Sequence, residues 1–409
     1  MRGERFDAHD FLGQAKSAGA TGAVVRRGTP PVAGLVLFEV ADTLAALGLL
    51  ARARRRSLPA NAPVVAVTGS SGKTSAKELI RSALAARWGT RVHATAGNLN
   101  NLVGVPLTIL AAPDDTAALV VEAGASVPGE IAALRDIIEP TIAVVTNVGY
   151  AHLEGFGTTE RLLEEKASLL DGAPVAVVGN SPALVAQARR RARKVVVVAR
   201  DEFGEVHPDK VDVDDLGRPV LHWGGGVVTL PVLGLHQVDN AMLALAVARE
   251  AGVDPKAAVA GLATVQIPAG RGGLVSRGGL TIIDDSYNAN PDSVLAALET
   301  ALTYAARRRR PLVVVLGSML ELGADSARLH AFVADELMSF LPAPEAVAAV
   351  GDFVPAFERH RPALGDRLIT APDAETLGPR LKATLKGNEI VLLKASRGVA
   401  LERVLRYLT

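Results

Sequence analysis

The stretch VVAVTGSSGKTSAKEL, residues 64–79, decides how the rest of the sequence is interpreted. An apolar, β-branched run ends in a glycine-rich turn that carries a lysine and several hydroxyls, and a helical pattern follows. A turn in this position lets backbone N–H groups converge on phosphate oxygens, and the N-terminus of the helix adds partial positive charge. The stretch therefore predicts a phosphate-binding loop inside an α/β fold.

The composition of the chain narrows the classes of protein to which it can belong. A length of 409 residues, with 49% hydrophobic residues, predicts a globular protein of two or three domains. The 44 Lys and Arg residues nearly balance the 43 Asp and Glu residues, so the net charge of +1 gives no support for nucleic-acid binding. The absence of cysteine excludes disulfides, thiol catalysis and Cys-based zinc sites.

The charge pattern also bears on location. The start MRGERFDAHDF is too charged for a signal peptide, and no apolar run approaches the roughly 18 residues that cross a membrane. We therefore expect a soluble, cytoplasmic protein with no membrane or nucleic-acid partner. Arginine-rich clusters at 51–56, 188–194 and 306–310 are interpreted as solvated helix faces and connections.

Short β-branched runs alternate with helical patterns from residue 63 onward, which predicts parallel sheets buried on both faces. The strands expected in the first half are 63–68, 117–124, 141–148, 173–179 and 194–200. Those expected in the second half are 280–285, 311–317, 346–351 and 389–396. Domain boundaries are placed at 57–63 and 268–273, where the pattern breaks and Pro or Gly residues gather.

The phosphate loop itself spans residues 68–75. Lys73 would reach the β- and γ-phosphates, and the Thr74 hydroxyl would hold Mg²⁺. The general motif has a glycine where this chain has Val67, so the loop is a tighter variant. A turn that merely joins a strand to a helix is the alternative interpretation. The residues expected around the nucleotide phosphates are Gly69, Ser70, Ser71, Gly72, Lys73, Thr74 and Ser75.

The ends of the next two strands carry further polar residues. Glu122 ends the second strand, and Asn147, His152 and Glu154 follow the third. Ligands of open α/β sheets lie at the carboxyl ends of the strands, so these side chains are expected to surround a nucleotide and Mg²⁺. Taken singly, His152 could be a hydrogen-bonding loop residue and Glu122 a helix cap.

A series of motifs runs through nearly the whole chain. They are GERFDAHDF (3–11), TGSSGKTSAKE (68–78), GNLNNLVGVPLTIL (97–110), EAGASVPGEI (122–131), TNVGYAHLEGFG (146–157), LGLHQVDNAMLALAVA (233–248), IDDSYNANPDS (283–293), LGSMLELGADSARLH (316–330) and LLKASRGVALERV (392–404). The series resembles the Mur ligases, in particular the branch that adds D-Ala-D-Ala, and its most specific parts are GNLNN and DDSYNANP.

The resemblance implies a three-domain architecture. Residues 1–60 would form a partial N-terminal domain for the UDP-sugar, shortened because GERFDAHDF normally lies well inside it. Residues 61–268 would form the central ATP-binding domain with its parallel P-loop sheet. Residues 269–409 would form a C-terminal Rossmann-like domain for the incoming dipeptide.

The resemblance also implies a reaction. ATP would phosphorylate the terminal carboxylate of UDP-N-acetylmuramoyl-tripeptide, and the amine of D-Ala-D-Ala would displace phosphate from the acyl phosphate. Such an enzyme serves peptidoglycan synthesis and would act as a monomer. A related ligase of the folylpolyglutamate type and a Mur-like nucleotide-binding protein with impaired catalysis remain alternatives.

Site residues follow from the resemblance motif by motif. Thr74 and Glu122 would bind Mg²⁺, and His152 a second Mg²⁺. Lys166 matches a lysine that the family carbamylates with CO₂, which would turn an ammonium into an anionic oxygen ligand. The alternative for Lys166 is a surface helix lysine paired with a glutamate.

The remaining implied residues surround the nucleotide and the amine substrate. Arg271 would close onto the γ-phosphate as an arginine clamp. Those implied for the adenosine are Asn98, Asn101, His236, Asn240 and Asp285. Those implied for the amine substrate are Tyr287, Asn288, Asn290, Lys394, Ser396 and Arg397. For Asp285 a turn or cap role is the alternative, and for Ser396 a helix N-cap.

Overall fold

The computed structural model describes residues 6–150, 153–340 and 344–408. It contains two six-stranded sheets, a three-stranded antiparallel sheet and a two-stranded sheet. His152, expected to bind a metal, lies outside the described residues. Within the described part of the chain, no helix combines the length and the apolar character needed to cross a bilayer.

The N-terminal unit is small. Its elements are α1 (Leu12–Ser17), β1 (Gly22–Arg26), β2 (Val36–Val40) and α2 (Thr43–Arg56). β1 and β2 pair in parallel, with Val24 opposite Phe38. Asp42 caps α2 by accepting from the N–H groups of Leu44 and Ala45.

The central unit is a doubly wound parallel sheet in the order β4-β5-β3-β6-β7-β8. Its strands are β3 (Val64–Thr68), β4 (Val92–Ala94), β5 (Ala118–Glu122), β6 (Ile142–Val145), β7 (Val175–Gly179) and β8 (Lys194–Val198). Its first helices are α3 (Lys73–Trp88), α4 (Gly104–Leu110), α5 (Glu130–Ile138), α6 (Leu153–Phe156), α7 (Thr159–Ala167) and α8 (Pro182–Arg191).

Both faces of this sheet are covered, which explains its near-continuous apolar strands. Val65 and Val67 of β3 pack with α3 on one face, and Val64 and Ala66 pack with α4 and α5 on the other. A small antiparallel sheet and two helices complete the unit. They are β9 (Lys210–Val213), β10 (Pro219–Trp223), β11 (Gly226–Thr229), α9 (His236–Glu250) and α10 (Pro255–Leu262).

The C-terminal unit has a second sheet in the order β12-β13-β17-β14-β15-β16, antiparallel only at its β12 edge. Its strands are β12 (Gly273–Arg277), β13 (Leu280–Asp285), β14 (Leu312–Leu316), β15 (Ala346–Val350), β16 (Leu368–Ala371) and β17 (Ile390–Lys394). Its helices are α11 (Pro291–Arg308), α12 (Ser326–Ser339), α13 (Phe353–Glu358), α14 (Arg361–Leu364) and α15 (Ala374–Thr384).

All nine expected strands are present, most of them shorter than expected. The run 141–148 ends as a strand at Val145, because Thr146 and Asn147 turn their side chains to the Ser71 carbonyl of the phosphate loop. The sequence analysis missed the short or polar strands. These are β1, β2, β4, β9, β10, β11, β12 and β16.

The arginine cluster at 51–56 is not the solvated face that we expected. Arg55 donates to the carbonyl oxygens of Ile138 and Glu139, at 3.0 and 2.7 Å. Arg52 and Arg56 form ion pairs with the Glu139 carboxylate. The cluster therefore binds the C-terminus of α5, where carbonyls lack helical partners and the helix dipole favours cations.

The other two clusters are mixed. Arg191 forms ion pairs with Glu164 and Asp171, whereas its neighbour Arg190 is exposed. Arg310 donates to the backbone carbonyl of Glu389 at 2.8 Å. Its neighbours Arg307, Arg308 and Arg309 are exposed, so the expectation of solvated arginines holds for part of each of these two clusters.

Candidate functional site

The phosphate loop lies between β3 and α3, and its glycines are required by its geometry. Gly72 has a φ of 78°, and a Cβ there would lie 2.6 Å from the Asn240 Oδ1. Gly69 has a φ of 146°, and a Cβ there would collide with the Thr146 hydroxyl. Both positions combine left-handed backbone with close approach, which only glycine tolerates without strain.

Lys73 begins α3 and folds back over the loop. Its Nζ donates to the Gly69 carbonyl at 2.7 Å and to the Ser70 carbonyl at 3.4 Å. Burial lowers the pKa of Lys73, and the nearby Glu122 carboxylate opposes that shift. The ammonium is thus held within the loop, at the place where phosphate oxygens would lie.

Thr74 and Glu122 form a buried pair of oxygen donors. The Thr74 hydroxyl donates to Glu122 Oε2 at 2.8 Å, and each residue is 2% exposed. Asn100 donates to the other carboxylate oxygen at 2.9 Å, and the Glu122 N–H donates to the Thr95 hydroxyl. Hydroxyl and carboxylate oxygens are the donors that Mg²⁺ prefers, together with phosphate and water, so this pair fits Mg²⁺.

Lys166 lies on α7 and is not the surface lysine of the alternative interpretation. Its side chain is fully buried, and Nζ has no hydrogen-bond partner among the described residues. The Phe156 ring lies 5.8 Å from Nζ. Burial, reinforced by the positive charge of Lys73, lowers the pKa of Lys166 to about 7.

The C-terminal unit brings its own charged groups. Asp285, at the end of β13, pairs with Lys394 at 2.7 Å, and Lys394 also donates to the Asn288 carbonyl at 2.7 Å. Burial raises the pKa of Asp285, although Lys394 opposes the shift. The Arg271 guanidinium lies 4.1 Å from the centre of the Tyr287 ring, a cation–π contact.

Apart from Lys166, charged groups of the central and C-terminal units face one cavity of about 950 Å³. Of the expected residues, it is lined by Ser70, Ser71, Gly72, Lys73, Thr74, Ser75, Asn101, Glu122, Asn147, His236, Asn240, Arg271, Asp285, Tyr287, Asn288, Asn290 and Lys394. Those that do not line it are Gly69, Asn98, Glu154, Lys166, Ser396 and Arg397.

Two of the residues that do not line the cavity still contact residues or loops beside it. Arg397 lies 5.7 Å from the centre of the Tyr287 ring. The Ser396 hydroxyl donates to the Ala289 carbonyl and accepts from the Leu320 N–H, and it makes no side-chain capping bond. Ser396 therefore joins two loops beside the cavity instead of capping a helix.

The cavity is also lined by residues of α9 and by residues that follow β7 and β8. Burial, with Lys394 and Arg200 nearby, lowers the pKa of His236 to about 4, so its ring is neutral at neutral pH. Gln237 accepts from Asn240 at 3.1 Å and contacts the His236 ring. The Gln237 amide thus links His236 and Asn240 in a hydrogen-bonded row along α9.

Several lining residues were missed by the sequence analysis. Asn100 lies inside the quoted motif GNLNN and could have been found there. Asp292 follows the quoted DDSYNANP directly. Asp239 lies inside the quoted stretch 233–248 and could have been found there as well. No local signal marked Asn180 or Arg200, because the folding of β7, β8 and α9 brings them to the cavity; Arg200 and Asp239 form an ion pair at 3.0 Å.

The chain matches two family descriptions. Residues 67–248 match the Mur ligase middle domain, and residues 270–397 match the Mur ligase, glutamate ligase domain. The UDP-N-acetylmuramoyl-tripeptide–D-alanyl-D-alanine ligase of Bacillus subtilis (strain 168) is 32% identical over 424 residues, which cover 99% of this chain and 88% of that protein.

Two solved structures have closely similar folds. MurF from Acinetobacter baumannii has a TM-score of 0.87 at 31% identity, with 100% of this chain and 89% of that chain covered. The MurF ligase of Thermotoga maritima in complex with ADP has a TM-score of 0.84 at 31% identity, with 100% and 92% covered.

Proposed function

Since the chain belongs to the Mur ligase family, we propose that it is an ATP-dependent ligase that joins D-Ala-D-Ala to UDP-N-acetylmuramoyl-tripeptide. One observation carries the proposal beyond the family name. The phosphate loop and the basic groups of the C-terminal unit line the same cavity, so a nucleotide and an incoming amine could meet there. The domains are proposed as 1–60, 61–268 and 269–409.

The reaction follows from the chemistry of a carboxylate. A carboxylate oxygen of the tripeptide attacks the γ-phosphorus of ATP, the bond to the bridging oxygen breaks, and ADP leaves. The amine nitrogen of D-Ala-D-Ala then attacks the acyl carbon, the bond to the phosphate oxygen breaks, and phosphate and a proton leave. Phosphorylation is needed because a carboxylate by itself has no acceptable leaving group.

The phosphate loop supplies the positive charge that this step requires. Lys73 and the N-terminus of α3 would stabilise negative charge on the β- and γ-phosphates. Thr74 and Glu122 would hold Mg²⁺, with His152 proposed at a second ion. When bound, Mg²⁺ would neutralise charge on the triphosphate as the carboxylate approaches it.

Lys166 is proposed to carry a carbamate. A neutral amine with a pKa of about 7 can attack CO₂ at neutral pH, forming an N–C bond and releasing one proton. The product is an anion at a position where the amine has no hydrogen-bond partner among the described residues and Lys73 supplies positive charge. The buried, unpartnered amine therefore supports the modification.

The other proposed roles are divided between nucleotide and amine substrate. Arg271 would contact the γ-phosphate, oriented by Tyr287. Asn101, His236, Asn240 and Asp285, which line the cavity, and Asn98, which does not, are the proposed adenosine contacts. Tyr287, Asn288, Asn290, Lys394, Ser396 and Arg397 remain the proposed group for the dipeptide. Action as a monomer in the cytoplasm belongs to the same proposal.

The test is the coupling of ATP hydrolysis to ligation. Phosphate release is expected only when ATP, UDP-N-acetylmuramoyl-tripeptide and D-Ala-D-Ala are all present, with one ligated product per phosphate. Turnover with a folate-linked glutamate acceptor instead would contradict the proposal. ATP binding without turnover on either acceptor would support a protein with impaired catalysis.

A further inference from the structure

Glu321 occupies a strained backbone position in the loop between β14 and α12. Its φ is 64°, and among the described residues three other non-glycine residues have a positive φ: Glu139, Arg309 and Ala400. Those three each cap the end of a helix, where left-handed backbone is common. Glu321 lies inside a loop, and such strain persists only where the surroundings hold it in place, most often at functional sites.

His330 of α12 holds this loop two residues before Glu321. Its ring is fully buried, its Nε2 accepts from the Met319 N–H at 2.9 Å, and its Nδ1 lies 2.7 Å from the Ser326 carbonyl oxygen. Because a backbone N–H only donates and a carbonyl only accepts, the ring proton lies on Nδ1. A neutral histidine therefore fixes the loop to the start of α12.

Two further hydrogen bonds fix the backbone at Glu321. The Leu320 N–H donates to the Ser396 hydroxyl at 2.9 Å, and the Glu321 carbonyl accepts from the Glu154 N–H of α6 at 3.1 Å. Gly323 packs against the same residue of α6, since a Cβ there would lie 3.2 Å from the Glu154 Cα. The strained position is thus held by α12, by the segment after β17 and by the central unit.

The charge of Glu321 acts on the phosphate loop. Burial lowers the pKa of Lys73, and the carboxylates of Glu122 and Glu321 oppose that shift. Glu321 is exposed and is not among the residues that line the cavity, but Lys73 does line it. An opposite charge favours an ammonium in this way only from nearby. The Glu321 carboxylate therefore lies near the place where the γ-phosphate, and later the acyl phosphate, would be.

The residues proposed for the dipeptide lack a negative charge. D-Ala-D-Ala carries a carboxylate and an ammonium, and its proposed group contains two cations, Lys394 and Arg397, but no anion. The cations suit the carboxylate, and the ammonium still needs a partner. Asp285 is already paired with Lys394 at 2.7 Å. Asp292 lines the cavity, but its carboxylate accepts from the Tyr150 N–H at 3.2 Å, so it is the competing candidate.

We propose that Glu321 binds the ammonium of the incoming D-Ala-D-Ala and makes the site specific for an amine. This contact holds the nitrogen beside the acyl phosphate, while Lys394 and Arg397 bind the carboxylate at the other end of the dipeptide. The strained loop is needed because it presents the Glu321 carboxylate at that place. The inference rests on the proposed function, since it assigns a residue to a substrate of that reaction.

The test compares two ligands that differ only in the ammonium. N-propionyl-D-alanine is D-Ala-D-Ala without its amine, so it can inhibit but cannot react. The KM for D-Ala-D-Ala and the inhibition constant of N-propionyl-D-alanine are measured in the parent and in Glu321→Gln. Glu321→Gln should raise the KM at least about tenfold, as expected for a hydrogen bond between charged groups, and leave the inhibition constant unchanged.

Formation of the acyl phosphate serves as an internal control. It precedes the reaction of the dipeptide, and borohydride traps the intermediate by reducing it to an alcohol. Glu321→Gln should form the acyl phosphate from ATP and UDP-N-acetylmuramoyl-tripeptide at the parent rate. A role of Glu321 in folding alone would impair this step together with the next one.

Glu321→Gly separates the side chain from its backbone position. Glycine adopts a φ of 64° without strain, so this variant should melt no lower than the parent and still lose its preference for the ammonium ligand. Asp325→Asn is the matched control, because Asp325 is an acidic residue four positions further on that pairs with Arg328 at 2.9 Å. Its loss should leave both constants unchanged.

Three results in an active parent would overturn the assignment. They are a parent-like KM in Glu321→Gln, an equal loss of affinity for both ligands, and a loss of the ammonium preference in Asp292→Asn but not in Glu321→Gln. Absence of an acyl phosphate in the parent itself would contradict the proposed function, and this inference with it.

Discussion

Lys166 shows how much a single buried group can constrain chemistry. A lysine amine without a hydrogen-bond partner in the interior is costly in its charged form, and the fold accommodates it by lowering its pKa to about 7. Lys77 is also buried, but it has partners: its Nζ donates to the Glu78 carboxylate at 2.5 Å and to the Thr95 carbonyl at 2.6 Å. The contrast separates a lysine whose charge is paired from the lysine for which a carbamate is proposed.

Loss of the amine should abolish ligation without unfolding the protein. Lys166→Ala is expected to lose at least about a hundredfold in kcat, because the anionic carbamate cannot form, and to regain part of it with short carboxylic acids that fill the cavity. Turnover is followed by phosphate release, and the carbamate by ¹³C NMR after addition of labelled bicarbonate. Parent-like activity in Lys166→Ala, or no carbamate signal in the parent, would contradict the modification.

The pH dependence of stability gives an independent check in CO₂-free buffer. Because the pKa of Lys166 is about 7 when folded and near its ordinary 10.5 when unfolded, the unfolded state binds more protons between these values. The free energy of unfolding should therefore rise with pH across that window. The full cost of burying the charged Lys166 amine is present below about pH 7.

Lys166→Met should then stabilise the protein most at about pH 6, on the order of a few kcal/mol, and progressively less toward about pH 10. Lys77→Met is the control and should destabilise, since it leaves Glu78 and the Thr95 carbonyl without their partner. Urea unfolding across this pH range measures both. A stabilisation of Lys166→Met that does not change with pH would be evidence against the lowered pKa.

At the scale of elements, α3 matters because both of its ends are glycines with left-handed backbone. Gly72 at the N-cap has a φ of 78° and Gly89 at the C-cap a φ of 59°. Only Gly72 is also crowded, since a Cβ there would meet Asn240, whereas a Cβ at Gly89 would meet nothing within 4 Å. Comparing substitutions at these two glycines therefore distinguishes the effect of backbone strain from the effect of crowding at the phosphate loop.

Gly72→Ala and Gly89→Ala should each destabilise by about 1 kcal/mol through the strained φ. Gly72→Ala should in addition weaken ATP binding by more than about tenfold, because the loop must shift to relieve the contact with Asn240. Calorimetric titration with an ATP analogue measures the difference. Equal affinities in the two variants would show that crowding at Gly72 does not affect the phosphate loop.

For the molecule as a whole, α2 fastens the N-terminal unit to the central one. Glu139, the C-cap of α5, has a φ of 44°, a conformation usually occupied by glycine. Its carboxylate bonds Arg56 and Arg52 of α2, and the hydrogen bond from Arg56 is the main reason that its pKa falls to about 2. The ion pairs of Glu139 thus offset the backbone strain of a non-glycine residue at a position that favours glycine.

Glu139→Gln should lower the melting temperature at neutral pH by roughly 1–3 °C, because a neutral amide binds the guanidinium groups more weakly. A carboxylate with a depressed pKa contributes stability above its ordinary value of 4.5, and that contribution is lost as the pH falls through about 2. The melting temperatures of Glu139→Gln and the parent should therefore become equal in acid.

Asp136→Asn is the control for Glu139→Gln. Asp136 lies on the same helix and pairs only with Arg135 among the described residues. Asp136→Asn should therefore leave the melting temperature unchanged both at neutral pH and in acid. A difference between Glu139→Gln and the parent that persists in acid would contradict the ion-pair explanation.

The sequence by itself determined the parallel core strands, the phosphate loop and its family, because these depend on local periodicity and on fixed spacing of glycine, lysine and hydroxyl residues. It did not determine the edge strands, whose pattern is short or polar, nor the role of the arginines at 51–56.

Tertiary structure alone decided which distant groups meet. Asn290 lies 219 residues from Ser71, and Arg200 and Asp239 come from different elements, so no local pattern records their contacts. Burial is decided in the same way: the pKa of the Lys166 amine falls because packing removes it from water and leaves it without a hydrogen-bond partner among the described residues, a property of the surroundings and not of the residue.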